Sequence, residues 1–434
     1  MNPLIVGVLG ISALLLLLAA GVHIAFAMAT VGFIGLLLTT GTKIALSSLE
    51  LIPLSATASY TMVAIPLFVL MGNFAFIGGV TKRLFDVGFK WFGRLPGGLG
   101  MATTFASAGF AAATGSSVAM VAAMAKISLP EMDRYNYDRD LSLGTIAGAG
   151  TLGILIPPSL IAVLYAVLTD VSLGKILVAG FFPGILTAIL FMMMIGIRSA
   201  INPHLGPRAT GVSWKESFRS LPGVSGIVVI VGAVMGSIYL GVATPTEAAS
   251  VGCLAALLIA ALSRNLSWAN LKTVLLDSIK VSVMIMTIVV GAAIFTLFLS
   301  RAGFAASFIS LVTDLHLSPM TTIIIFLAMY IPLGMFFEPY SMLVLTLPIT
   351  FPIIAALGID GVWYGIMVIV MVEVSLLTPP VGLNVYVLKG AVCDTNLTQI
   401  FRSVIWFIIV DFIVVALLLL FPQIALFLPS VMWG

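Results

Sequence analysis

Apolar runs long enough to cross a bilayer recur from one end of the chain to the other, separated by short joints rich in glycine, proline and polar residues. About 20 helical residues span a hydrocarbon core ~30 Å thick, so such runs are transmembrane-helix candidates. The pattern predicts spans at 3–20, 22–40, 57–80, 140–168, 174–198, 222–240, 245–263, 278–300, 362–390 and 403–428. Two further apolar regions, 97–130 and 318–355, are interrupted near the middle by ATGSSVA (113–119) and MFFEPYS (335–341). Each arm amounts to ~25 Å of helix, short of the core. Both regions are therefore predicted to be re-entrant hairpins, whose irregular tips must sit inside protein or beside a wet cavity.

Composition agrees. The chain has 434 residues, 61% hydrophobic and 8% charged, against about 25% charged in an ordinary soluble domain. A large soluble core lacks the polar surface it would need. No Lys or Arg precedes Lys43, so the first stretch reads as a retained span and not as a signal peptide with a basic leader. No appended soluble domain is expected. Cys253 and Cys393 set up neither a disulfide framework nor a metal spacing and read as small buried residues. His23, His204 and His316 form no metal constellation, and His23 reads as a satisfied interface residue. Residues 81–94, TKRLFDVGFKWFGR, mix basic and aromatic groups and predict an amphipathic helix on the cytoplasmic surface.

With the N-terminus outside, every Lys and Arg among the nineteen falls inside except Lys43, Lys175 and Arg301, as the positive-inside rule requires. Both termini are then periplasmic, and the two hairpins enter from opposite sides. The Pro-Pro pairs, Pro157-Pro158 and Pro379-Pro380, are separated by the same offset as Pro130 and Pro352. Five spans per half invert the second half relative to the first. The expected fold is an all-α polytopic membrane protein, an inverted repeat with two re-entrant hairpins and two broken helices. Residues 1–198 form the first repeat, 199–221 a cytoplasmic linker and 222–434 the second repeat.

A proline inside a helix removes one hydrogen bond and clashes with the preceding turn. Pro157 and Pro158 free the carbonyls of Gly153 and Ile154; Pro379 and Pro380 free those of Ser375 and Leu376. Freed carbonyls near mid-membrane suit a cation. The hairpin tips, GSS at 115–117 and EPYS at 338–341, offer hydroxyls, bare N–H groups and helix N-termini, which suit an anion. Inverted repeats with discontinuous helices around a midplane site are the pattern of ion-coupled secondary transporters.

The stretches GSSVAMVAAMAKISLPEM (115–132), AGAGTLGILIPPS (147–159), GVATPTEAASVG (241–252) and LLTPPVGLNVYVL (376–388), with LPGGLG (95–100) and AGFFPG (179–184), resemble the large membrane subunit of a tripartite ATP-independent periplasmic (TRAP) transporter. They lie in order across nearly the whole chain. The resemblance implies an elevator-type, Na⁺-driven importer of a small organic acid in the bacterial inner membrane. It also implies a separate small membrane subunit of about four helices and a periplasmic substrate-binding protein. No nucleic-acid partner and no enzymatic activity are expected. Carried over residue by residue, one Na⁺ site falls between Ser116 and Ser117 at the first tip and Gly153 and Pro157 at the first break. A second falls among Gly334, Ser341, Thr378, Gly382 and Asn384. The acid would lie between the tips, near Thr114, Ser117, Pro339 and Asn384. Members with a GSGPA-like or GSAPA-like first tip differ here, where this chain has GSSVA.

Charges at membrane depth are functional candidates. Glu247 opens a helix and reads either as a partner of its N-terminal dipole or as a structural pair between domains. Glu338 is expected either to shape its tip by accepting backbone N–H groups or to bind a cation, Glu373 to help orient the second break, and Asp411 to meet the small subunit or snorkel inward. An ATP-driven pump would need a phosphate loop, and no GxxxxGK[ST] occurs. A passive anion channel remains open, since hairpins also build selectivity filters, as does an ion-coupled carrier that works without a binding protein. Dicarboxylates, keto acids, sialic acids and sulfonates all remain open as cargo.

Overall fold

Glycines set how closely the helices of the two halves approach. A Cβ on Gly32 would lie 2.8 Å from the backbone of Phe295, and one on Gly291 would lie 2.3 Å from the Ala25 carbonyl oxygen. Helix Ile24–Thr40 therefore lies backbone-close along Trp268–Arg301, as small residues permit between membrane helices. In the matching arrangement, Pro245–Leu262 packs along Ala64–Ile77. Each half thus lends its second helix to the other half, and together these elements form the scaffold.

The computed structural model describes residues 2–209, 213–314, 317–392 and 394–433. His316 and Cys393 lie outside them. Every regular element among the described residues is helical. Seven helices are long and apolar enough to cross a membrane: Tyr60–Ile77, Leu173–Ile201, Trp214–Tyr239, Pro245–Leu262, Trp268–Arg301, Pro339–Ala356 and Leu397–Leu420. The bent pair Arg139–Leu155 and Leu160–Thr169 would make an eighth, and five shorter apolar helices accompany them.

All ten expected spans are occupied by helix with altered boundaries, although only seven helices among the described residues, or eight with the bent pair, are long and apolar enough to cross. Residues 362–390 form Gly361–Leu377 and Leu383–Ala391, and 403–428 divides into Leu397–Leu420 and Gln423–Trp433, because Pro422 cannot continue a helix. The stretches 41–56 and 301–317, which lie outside the expected spans and hairpins, contain the helices Thr42–Thr57 and Phe304–Asp314. The return helix of the second hairpin runs through Pro348 and Pro352 to Ala356.

The second bundle is built from the hairpins and broken helices. The first hairpin, Gly98–Thr114 and Ser117–Ile127, packs on Arg139–Leu155; the second, Pro319–Gly334 and Pro339–Ala356, packs on Gly361–Leu377. The arms beyond the breaks then exchange. Leu160–Thr169 lies on the second hairpin, and Leu383–Ala391 lies on the first. Gly361–Leu377 is the axis of this bundle, buried from Val362 through Leu377.

The expected amphipathic helix is Val80–Phe92. It buries Val80, Leu84, Phe85 and Val87 and turns Lys82, Arg83 and Asp86 outward. Partial desolvation, with Glu131 nearby, raises the Asp86 carboxyl above its ordinary range against the opposing pull of Lys82 and Lys90. The polar stretch 199–221 is fastened to this helix. Trp91 Nε1 donates to the Ser217 carbonyl at 3.1 Å, and the Arg94 guanidinium stands 4.1 Å over the Trp214 ring. Tyr137 steadies the start of the first hairpin by accepting the Leu99 N–H at 3.0 Å, and burial pushes its hydroxyl up to about 12.

Candidate functional site: two tips, two breaks and one cavity

The first hairpin turns at Gly115, whose φ of +59° is the left-handed conformation that ends a helix without a Cβ clash. Ser116 starts the return helix by accepting the Ala119 N–H at 3.4 Å. A Cβ on Gly153 would come 2.9 Å from the Ser116 carbonyl and the Ser117 nitrogen, and one on Gly115 would come 2.8 Å from the Pro158 carbonyl oxygen. Ser116, Ser117, Gly153 and the Pro157-Pro158 turn are thus brought together, backbone on backbone. Both Pro-Pro bonds are cis.

The second tip is seated through side chains. A Cβ on Gly334 would lie 2.0 Å from Ser375 Cβ. Ser341 is buried and donates to a Glu338 carboxylate oxygen at 3.2 Å. At the break, Thr378 Oγ1 donates to the Val374 carbonyl at 2.7 Å, and Gly382 adopts a φ of +52° at the start of Leu383–Ala391. Asn384 departs from this group. Its Nδ2 donates to the Ala147 carbonyl of the first broken helix at 3.3 Å, while its buried Oδ1 has no hydrogen-bond partner among the described residues.

Two of the four freed carbonyls are covered. The Ser159 hydroxyl donates to Ile154 O, and the Thr378 N–H reaches Ser375 O at 3.3 Å. The Gly153 and Leu376 carbonyls, each with proline four residues on, are not so covered.

Both tips line one cavity of about 190 Å³, walled by Ser116, Ser117, Ile154, Glu338, Pro339, Tyr340 and Leu383, with Val281 and Met284 contributed by the long scaffold helix. The first turns of three helices, Ser117–Ile127, Pro339–Ala356 and Leu383–Ala391, meet there. Their N-termini make the cavity favourable to negative charge. Of the residues expected around an acid, Ser117 and Pro339 line it. Thr114 and Asn384 do not; Thr114 Oγ1 bonds back to the Phe110 carbonyl at 3.2 Å. Sequence reasoning missed Val281 and Met284, since nothing marks a cavity wall within an all-apolar helix.

The other acids fall into three roles. Glu247 closes a capping box with Thr244, accepting its N–H at 2.7 Å. Glu338, expected to accept backbone N–H groups, instead accepts the Ser341 hydroxyl. Glu373 and Asp411 are fully buried, and none of their carboxyl oxygens has a hydrogen-bond partner among the described residues. Asp411 therefore faces inward and is not presented to a partner subunit. Among the described residues no group of three His, Cys, Asp or Glu could hold a metal ion.

Two hairpins seated on two broken helices and facing a long scaffold helix define a multi-pass helical membrane protein with a transporter's fold. The solved YdaH transporter of Alcanivorax borkumensis shares it, with a TM-score of 0.60 and 13% sequence identity over 87% of this chain and 88% of that one. Residues 11–424 match the family model of the tripartite ATP-independent periplasmic transporter, DctM component, and the chain belongs to this family. The C4-dicarboxylate TRAP transporter large permease DctM of Pseudomonas aeruginosa is 36% identical over 86% of each chain. The sialic acid TRAP large permease SiaM of Vibrio cholerae is 30% identical over 96% of this chain and 97% of its own.

Proposed function

We propose that this chain is the large permease of a tripartite importer in the bacterial inner membrane, with both termini periplasmic, and that it carries a small dicarboxylate inward with Na⁺. The observation that carries this reading is the single cavity where both tips and three helix N-termini converge. Its volume of about 190 Å³ is below the ~300–1,000 Å³ typical of sites for drug-sized ligands. That size favours a four-carbon acid over a sugar acid, in line with the dicarboxylate permease similar to this chain.

The donors present suit Na⁺, a hard cation that takes oxygen ligands. The Gly153 and Leu376 carbonyls and the orphan Asn384 Oδ1 are such oxygens, with Ser116, Ser117 and Pro157 around the first and Gly334, Ser341, Thr378 and Gly382 around the second. Bound Na⁺ would supply positive charge that holds tip and break together, and so complete the anion site. The hairpins and broken helices would move as one body against the scaffold, in an elevator motion. A small membrane subunit would widen that scaffold, whose outer face exposes Leu16, Leu38, Leu254 and Leu258. A periplasmic binding protein would deliver the acid.

The test is uptake of radiolabelled succinate into proteoliposomes holding this chain and its small subunit, with the binding protein outside. Accumulation requiring both an inward Na⁺ gradient and the binding protein is expected. Uptake indifferent to Na⁺ would remove the ion assignment at the two breaks. Flux that needs neither, and carries current beyond any turnover limit, would return the passive-channel reading. Na⁺-driven uptake without the binding protein would make this an independent carrier.

A further inference from the structure

Beside the inter-tip cavity lies a second one, of about 420 Å³. Its walls are the scaffold turn Leu18–Ile24, the second tip from Phe336 to Ser341, and Val381 with Leu383 at the second break. Glu338 and Leu383 line both cavities. They are the partition between them.

His23 stands on the scaffold wall of this second cavity and is the basic side chain that faces Glu338. It also caps helix Ile24–Thr40, its Nδ1 accepting the Ala25 N–H at 3.4 Å. With Nδ1 an acceptor, the ring is neutral and its one N–H is on Nε2, which is a donor. The Glu338 carboxylate and the His23 ring thus line one cavity from opposite bundles, and that cavity adjoins the inter-tip site.

We propose that Glu338 is the gate between the two cavities and that His23 is its latch, a scaffold donor that holds the Glu338 carboxylate aside while an organic anion leaves. Glu338 in its present place presents negative charge to the anion site. Drawn to His23 Nε2, it opens the wall and removes that charge from the anion's path. The direction of release rests on the transport reading above, with the Leu18–Ile24 turn on the cytoplasmic side. The latch itself is tested without cargo.

The experiment uses the full chain with its small subunit in lipid nanodiscs, carrying Cys253→Ser and Cys393→Ser. One of two reporter cysteines is added: Met284→Cys in the inter-tip cavity or Val22→Cys in the second cavity. A charged methanethiosulfonate reagent reads access to each. His23→Ala is expected to slow labelling at Met284→Cys about tenfold, the scale of one lost hydrogen bond to a carboxylate, and to leave Val22→Cys unchanged. His23→Gln, which keeps an N–H donor, should label like the native chain. His23→Ser, a good helix cap too short to reach Glu338, should label like His23→Ala. Equal labelling of Met284→Cys in all variants overturns the latch. Restoration by serine overturns it too, because it would reduce His23 to a cap, and so would slowing of both reporters together. Failure of succinate uptake in the native protein would sink the proposed function and leave these labelling rates to judge the latch separately.

Discussion

The two helix breaks share a sequence sign, a pair of prolines, yet the structure builds them differently. At the first, Ile156–Ser159 are all buried, Ser159 covers a freed carbonyl, and the hairpin tip presses backbone against backbone at Gly153. At the second, Pro379, Pro380 and Val381 are exposed, the tip rests on the Ser375 side chain, and a carboxylate stands where the first tip has a serine cap. The first joint buries its Pro-Pro turn, whereas the second leaves its turn exposed. Sequence symmetry here marks equivalent position without equivalent mechanics.

The largest effect should come from filling the tip contacts. Gly153→Ala and Gly334→Ala each force a Cβ into an occupied place, and overpacking of this kind costs about 1–3 kcal/mol. Both are expected to abolish Na⁺-dependent uptake. The comparison predicts that Ser375→Gly rescues Gly334→Ala only in part, because it removes the Ser375 Cβ at 2.0 Å and leaves the Ser375 Cα at 2.8 Å. No side-chain change should rescue Gly153→Ala, whose obstacle is the backbone of Ser116 and Ser117. Equal rescue at both sites would remove the distinction.

A middle-sized effect is expected at Asn384, which links the breaks by bonding from the second to Ala147 of the first. Asn384→Ala removes both that bond and the orphan Oδ1. The Na⁺ concentration for half-maximal uptake should rise about tenfold, equivalent to ~1.4 kcal/mol. An unchanged Na⁺ dependence with lowered thermal stability would leave Asn384 a structural tie alone. The smallest effect separates the joints by burial. Ser159→Ala strips a buried carbonyl and should cost about 1 kcal/mol, whereas Thr378→Val, at a half-buried site, should cost only a few tenths. Thermal unfolding of the detergent-solubilised complex reads the difference, and a larger loss for Thr378→Val would reverse the ranking.

Much of this architecture was legible because bilayer length and proline chemistry are strict. Interrupted apolar stretches gave both hairpins, and the Pro-Pro pairs gave both breaks. Thr42–Thr57 and Phe304–Asp314 lay outside the expected spans, the first because serines, Lys43 and internal Pro53 weaken its hydropathy and the second because it is too short to cross. The inward turn of Asp411 was hidden for another reason. Its helix is apolar on every side, so the buried stripe Ile400, Val404, Phe407, Asp411 and Val414 shows no contrast. The partition at Glu338 and Leu383 depends on two cavities meeting, a property of the assembled fold that no segment carries alone.

The scaffold helix Trp268–Arg301 touches the inter-tip cavity at Val281 and Met284. Further along, Val289, Ala293, Thr296 and Ser300 face a cavity of about 790 Å³, opposite Ala166–Leu173 of the other bundle. One helix therefore lines two cavities, at two heights and on two sides, since the twelve residues from Met284 to Thr296 also turn it by about 120°. From Met284 to Thr296 is about 18 Å along an α-helix. That distance is the offset between the two cavities along their common wall.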